Sequence, residues 1–228
     1  MASTNKNREL LRLQTWFSSA FPTGAFAYSH GLETAVSDGL ITDHKTCRSW
    51  LEAVLENGSG WNDAVVLSNS WRMAREKDWD QLDAINGYVI ALQPAKERLL
   101  ETALQGEAFL EAASHWDSAH AENLNNLESA PCLPVAVGAV GALKDIALVP
   151  VSLSYLNAFI SNLVWIGTRL GVYGQSNALK MLADFEDTLE GIAERAATAG
   201  LDDIGGCTFI NDMASMRHER QNVRLYRS

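Results

Sequence analysis

From Ile146 to Thr168 the chain runs without one charged side chain, and no other feature narrows the possible folds as much. By length the run would serve as a membrane span, which needs roughly 20 mostly apolar residues. Its polar residues point elsewhere. Ser154, Asn157, Ser161 and Thr168 recur at offsets of 3, 7 and 14, which on a helix is one narrow stripe. Phe159, Ile160, Leu163, Val164 and Ile166 fill the other sides. A helix apolar nearly all round, with a thin hydrogen-bonding seam, belongs in the middle of a helical core. Gly167 and Gly171 allow a neighbouring backbone to come close. The last turn then surfaces with Arg169, Tyr173 and Gln175.

The remaining chain carries helix signals on both sides of that run. Thr42 or Asp43 can cap a helix whose face is Cys47, Trp50, Leu51, Val54 and Leu55, and Asn57-Gly58 ends it. Asn62 can cap the next, with Ala64, Leu67, Trp71 and Ala74 on one face. A shorter helix around Leu82, Ile85 and Val89 precedes Pro94, which suits a first turn, and Leu99, Ala103, Gly106, Leu110 and Ala113 mark a long one. Asn123 to Ser129 reads as a polar linker. Pro134 opens a small-residue helix in which Gly138 and Gly141 permit tight packing, and Leu179, Leu182, Leu189, Ala193 and Ala196 line one more. The first residues, up to about Asn7, read as disordered, and Leu10 to Phe17 as a short helix or extended piece. No sustained period-two alternation appears. The expectation is an all-α single globular bundle over residues 8–204, followed by a basic C-terminal tail over 205–228.

Within that tail Arg217, Arg220, Arg224 and Arg227 are spaced to share one helical face from Met213 to Ser228, with Met216, Val223 and Tyr226 beside them. Such a segment either folds back onto the body or docks on a partner; its apolar spacing favours docking. The body itself is acidic, with a formal net charge of −10, which argues against nucleic-acid binding. Three widely spaced cysteines (Cys47, Cys132, Cys207) suit a reducing compartment. Met1 to Arg8 lacks the apolar core of a secretory signal, so a cytoplasmic protein is expected.

Little in the chain suggests chemistry. There is no phosphate-binding G-x-x-x-x-G-K-[ST] run, no H-E-x-x-H and no C-x-x-C. His44 and Cys47, three apart, are two ligands without a third, and His115 and His120 point to different helical faces. Ser29, His30 and Glu33 follow a Pro22/Gly24 turn, but no G-x-S-x-G elbow exposes a nucleophile there. Arg169 and Tyr173 read equally well as a helix-end cation with a packed phenol or as a pair exposed for recognition.

Three stretches in this order resemble the UreF family of urease accessory proteins: PTGAFAYSHGLE from Pro22 to Glu33, RLGVYGQ from Arg169 to Gln175, and MASMRHERQNVRLYRS from Met213 to Ser228. The PVAVG helix start at Pro134 and the Gly205-Gly206 loop add to the likeness. Some family members have Leu-Pro and a glutamine where this chain has Phe21-Pro22 and His30. The resemblance implies an all-helical, non-enzymatic homodimer without a metal or cofactor of its own. Such a protein works with UreD (also called UreH) and the GTPase UreG to place nickel in apo-urease, GTP being bound by UreG. It also implies that Arg169, Tyr173 and Gln175 belong to the dimer and UreG-facing surface. Arg217, His218, Tyr226 and Arg227 would belong to a UreD-docking tail that orders on complex formation. Ser29 and Glu33 lie in the matched N-terminal segment.

Overall fold

Trp16 fixes the first helix, α1 (Ala2–Trp16), to the body: it is 2% exposed and meets Phe109 edge-on at 5.8 Å between ring centroids. Edge-to-face pairs of this kind add about 0.5–1.5 kcal/mol beyond burial. The helix begins earlier than the sequence suggests, at Ala2. The computed structural model describes residues 2–116, 124 and 127–228, and among them every regular element is helical. His120 and residues 123, 125 and 126 of the expected linker lie outside the described residues.

A short α2 (Leu32–Ser37) leads to α3 (His44–Asn57). Asp43 is the cap: Oδ1 accepts the amides of Lys45 at 3.0 Å and Thr46 at 2.8 Å, while Thr46 Oγ1 accepts the Asp43 amide at 3.1 Å. The reciprocal pair satisfies amides that a helix start leaves open. In α4 (Ser59–Glu76) Asn62 is no cap but lies inside the first turn. Its amide staples the Gly205-Gly206 loop, accepting from both glycine amides and donating to the Gly206 carbonyl at 2.9 Å. Next come α5 (Trp79–Leu92), capped by Asp78, and α6 (Lys96–Ala113), which starts two residues after Pro94. Beyond the linker are α7 (Leu133–Leu143) and the central α8 (Leu148–Arg169). The single helix expected over 179–196 is two, α9 (Gln175–Asp184) and α10 (Glu186–Ala196), because Phe185 between them is fully buried and anchors the corner. The last, α11 (Phe209–His218), packs on α2 and α6.

The apolar α7 runs between α4 and α6. Gly138 makes this possible: a Cβ there would lie 2.3 Å from the Leu67 carbonyl oxygen of α4. By length and composition α8 could cross a membrane, yet it packs against α3, α4, α7, α9 and α10 in the middle of the fold. Leu156, Ile160, Val164 and Ile166 are fully enclosed, each burial contributing roughly 1.5–3 kcal/mol. The polar stripe turns outward: Asn157 is exposed, and Ser154, Ser161 and Thr168 are half-buried beside Leu153 and Trp165. Gly167 admits the Tyr173 phenol rather than a neighbouring backbone, and Gly171 takes a left-handed φ of 77° that turns the chain out of α8.

Candidate functional site

The Pro22–Glu33 motif folds as a 3-10 turn (Ala25–Ala27) followed by two consecutive left-handed residues, His30 (φ 58°) and Gly31 (φ 80°). Such a conformation is rare away from glycine. Here it drops the His30 ring inward, and Gly31 lies against α11, where a Cβ would meet Ser215 Oγ at 2.6 Å. Ser29, His30 and Glu33 are all buried. What they meet is the end of the chain.

The tail folds back on the body. Helix α11 stops at His218, and residues 219–228 run without regular structure, so the four arginines do not form one helical face. Ser29 donates to the Ser228 carbonyl from its hydroxyl and from its amide, the latter at 2.9 Å. The Ser228 hydroxyl reaches the His30 amide at 3.3 Å and donates to Glu101 at 2.8 Å. The Glu33 carboxylate receives the amides of Leu225 (2.7 Å) and Tyr226 (3.1 Å) and a ring nitrogen of His218 (3.0 Å). The Arg227 amide donates to the Ala27 carbonyl at 2.8 Å. The tail thus lies against α2 and the first turns of α6, with Glu33, Glu97 and Glu101 as its main anchors.

Helix α6 supplies the other wall, and here the sequence misleads. Its first half turns Arg98, Glu101, Thr102 and Gln105 inward while Leu100 and Leu104 are 45% exposed. Arg98 pairs with Glu101 one turn on, Glu101 faces His30 Nδ1 at 3.3 Å, and His30 Nε2 lies 2.6 Å from the Ser59 hydroxyl. Burial, and then the Arg98 charge, push the His30 ring down to about 4, so it is a neutral imidazole. Burial alone would raise the Glu101 carboxyl, but Arg98 and His30 outweigh it and hold it at about 2. Asp63 of α4 accepts from the Tyr155 phenol at 2.7 Å, and burial pushes its carboxyl up to about 6. These groups floor a cavity of about 460 Å³ whose mouth carries Phe17, Phe26 and Phe159. Each charged group of the floor already has a partner in the protein. Among the described residues no set of three or more His, Cys, Asp or Glu side chains is placed to hold a metal ion.

Arg169 and Tyr173 are not the neighbouring pair that their spacing suggests. Tyr173 is buried: its phenol donates to the Val164 carbonyl at 2.9 Å and lies 3.5 Å from Cys47 Sγ, and burial pushes both groups up, Cys47 to about 11. Arg169 is exposed and meets a different phenol. Its Nε donates to the Tyr226 hydroxyl at 3.0 Å and its guanidinium lies 5.5 Å from that ring's centre. Gln175 is exposed at the first position of α9. Arg217 is exposed and pairs with Asp38 at 3.0 Å. His218, by contrast, is fully buried. Glu97, Arg98, Glu101, Asp63 and Tyr155 went unnoticed in the sequence. The available signal was Arg98, Glu101, Thr102 and Gln105 at helical spacing, which reads by default as a solvated face.

A family model described as UreF matches residues 41–186. The urease accessory protein UreF of Mesorhizobium japonicum is 48% identical over 219 residues, covering 96% of each chain. That of Sinorhizobium medicae is 44% identical over 228 residues and 100% of each chain, and that of Brucella ovis 43% over 219 residues, covering 96% of this chain and 94% of its own.

Proposed function

The chain belongs to the UreF family of urease accessory proteins, and from that premise we propose that it is a cytoplasmic urease maturation factor that acts by contact. In this reading it forms a homodimer that bridges UreD (UreH) and the GTPase UreG on apo-urease. It has no catalytic residues of its own, nickel is the cargo of the whole assembly, and GTP hydrolysis in UreG is what it gates. The observation that supports the reading is 48% identity, over nearly the whole chain, to a protein named as a urease accessory protein.

The surface chemistry supports it. Arg169, Tyr226, Arg217 and Arg227 lie with exposed Val223 and Leu225 on an otherwise acidic body, a mix of cation, aromatic and apolar groups of the kind enriched at recognition hot spots. Gln175, exposed at the start of α9, extends the UreG-facing assignment. Tyr173, His218, Ser29 and Glu33 contribute from beneath, by holding that surface in shape. The half-buried outer flank of α8, with Leu153 and Trp165, suits self-association.

Co-expression with UreD and UreG, followed by sizing of the product, tests the assignment. A complex containing all three is expected, and Arg169→Ala should remove UreG from it while circular dichroism stays helical. Undiminished UreG recruitment by that variant would overturn the site assignment. The buried Tyr173 is a poor test position, because its loss reports on packing.

A further inference from the structure

Asp63 meets the rest of the protein through one oxygen only. Its Oδ2 accepts the Tyr155 phenol at 2.7 Å, and among the described residues no donor reaches its other oxygen. The side chain lines the cavity and keeps accessible surface there. The charged groups around it leave its charge unbalanced. Arg98 and Glu101 of α6 form a buried pair, the His30 ring is neutral, and burial holds the Tyr155 phenol well above its ordinary range, so it remains a donor. Cys132 at the start of α7 is pushed up to about 11 by burial and remains a thiol. Arg169, the other cation on the lining, is exposed at the rim. With Asp63 ionised, the floor therefore carries one net negative charge.

The walls decide what kind of cation suits that charge. Phe17, Phe159 and Trp165 line the cavity and are half-buried, and Phe26 stands at the mouth. Aromatic faces attract an ammonium group within about 6 Å and also receive an apolar stem. A divalent metal ion asks for several oxygen, nitrogen or sulfur ligands, which one carboxylate oxygen among aromatic rings does not supply. An anion meets like charge, and a neutral guest that cannot donate leaves the Asp63 oxygen unpaired. The volume of about 460 Å³ falls within the roughly 300–1,000 Å³ that small-molecule sites occupy. The carboxylate is also costly to keep: burial lifts it to about 6 from an ordinary 3.8, although an asparagine would accept the Tyr155 phenol equally well. A charge held in a cleft at such a cost is the kind of group that binding sites use.

We propose that this cavity binds a small organic monocation, an alkyl- or arylalkylammonium, with its charge on the free oxygen of Asp63 and its apolar body against Phe17, Phe159 and Trp165. The seat belongs to the chain alone and needs no partner protein. Affinity should follow the ionisation of Asp63. Between about pH 5 and about pH 7 the other groups facing it keep their state, Glu101 being held at about 2, His30 at about 4, and Cys132 and Tyr155 staying protonated.

Isothermal titration calorimetry of the full chain at about pH 8 with phenethylammonium, 2-phenylethanol and phenylacetate tests the assignment. The ammonium should bind at least about tenfold tighter than the alcohol of the same skeleton, and phenylacetate should not bind. Asp63→Asn should bring the ammonium down to the affinity of the alcohol while leaving that of the alcohol unchanged, which shows that the cavity itself is intact. Lowering the pH from about 7 to about 5 should weaken ammonium binding by about tenfold and leave alcohol binding unaltered. Equal affinity of ammonium and alcohol, full ammonium affinity in Asp63→Asn, or no binding of phenethylammonium or n-butylammonium up to about 10 mM would each overturn the proposal. Displacement of the ammonium by equimolar Ni²⁺ would assign the seat to a metal and overturn it as well.

Discussion

Replacing Asp63 by asparagine should stabilise the protein at about pH 8 and leave it unchanged at about pH 3. The carboxyl titrates at about 6 in the folded chain against an ordinary 3.8, chiefly because burial disfavours its charge. The folded state thus keeps a proton that the unfolded chain has already released, and stability declines as pH climbs from 3.8 toward 6 and stays lower above it. At about 1.4 kcal/mol per tenfold, the difference amounts to about 3 kcal/mol. Asp63 lines the cavity and keeps some accessible surface there, so this figure is a ceiling and a gain of about 1–3 kcal/mol is expected. Asparagine keeps the oxygen that accepts the Tyr155 hydrogen bond, so little else is lost. Urea unfolding followed by circular dichroism at several pH values measures the gain. A variant no more stable than wild type at about pH 8, or stabilised equally at about pH 3, would refute the account.

Gly138→Ala should destabilise the fold by about 1–3 kcal/mol, since its Cβ would press on the Leu67 backbone and α4 and α7 must separate; thermal unfolding measures it. Tyr173→Phe should cost about 1 kcal/mol in urea unfolding, because the buried Val164 carbonyl loses its phenol donor, while UreG recruitment is retained. Glu101, held at about 2 against an ordinary 4.5, should make stability fall as pH drops through that interval, and Glu101→Gln should flatten the fall in an acid titration.

The fold was largely legible in the sequence because its helices are periodic and punctuated. Asp43 and Gly58 bound α3, and the uncharged run delivers α8 as a central helix. Two features misled. Phe185 breaks one apparent helix into two, since a fully buried aromatic corner overrides a continuous apolar pattern. In α6, polarity normally means solvent, but here the inward face is polar because residues far along the chain supply its partners: Ser228 for Glu101, and Arg224 and His218 for Glu97. No local window reveals that. The same distance explains why Arg169 looked paired with Tyr173. Spacing along a helix proposes neighbours, whereas Tyr226 reaches Arg169 from 57 residues away.

The pairing of Ser29 with Ser228 joins positions 199 residues apart. A nascent chain still on the ribosome has its opening motif in hand, yet lacks the piece that fills the seat between the second and sixth helices. Until residues 219–228 arrive, Glu33 lacks the Leu225 and Tyr226 amides, Glu97 the Arg224 guanidinium and Glu101 the Ser228 hydroxyl. Loop closure over such a length is slow compared with forming the helices themselves. Whatever delays residues 219–228 therefore leaves a protein that is helical but unsealed, and a chain cut before residue 219 would stay in that condition for good.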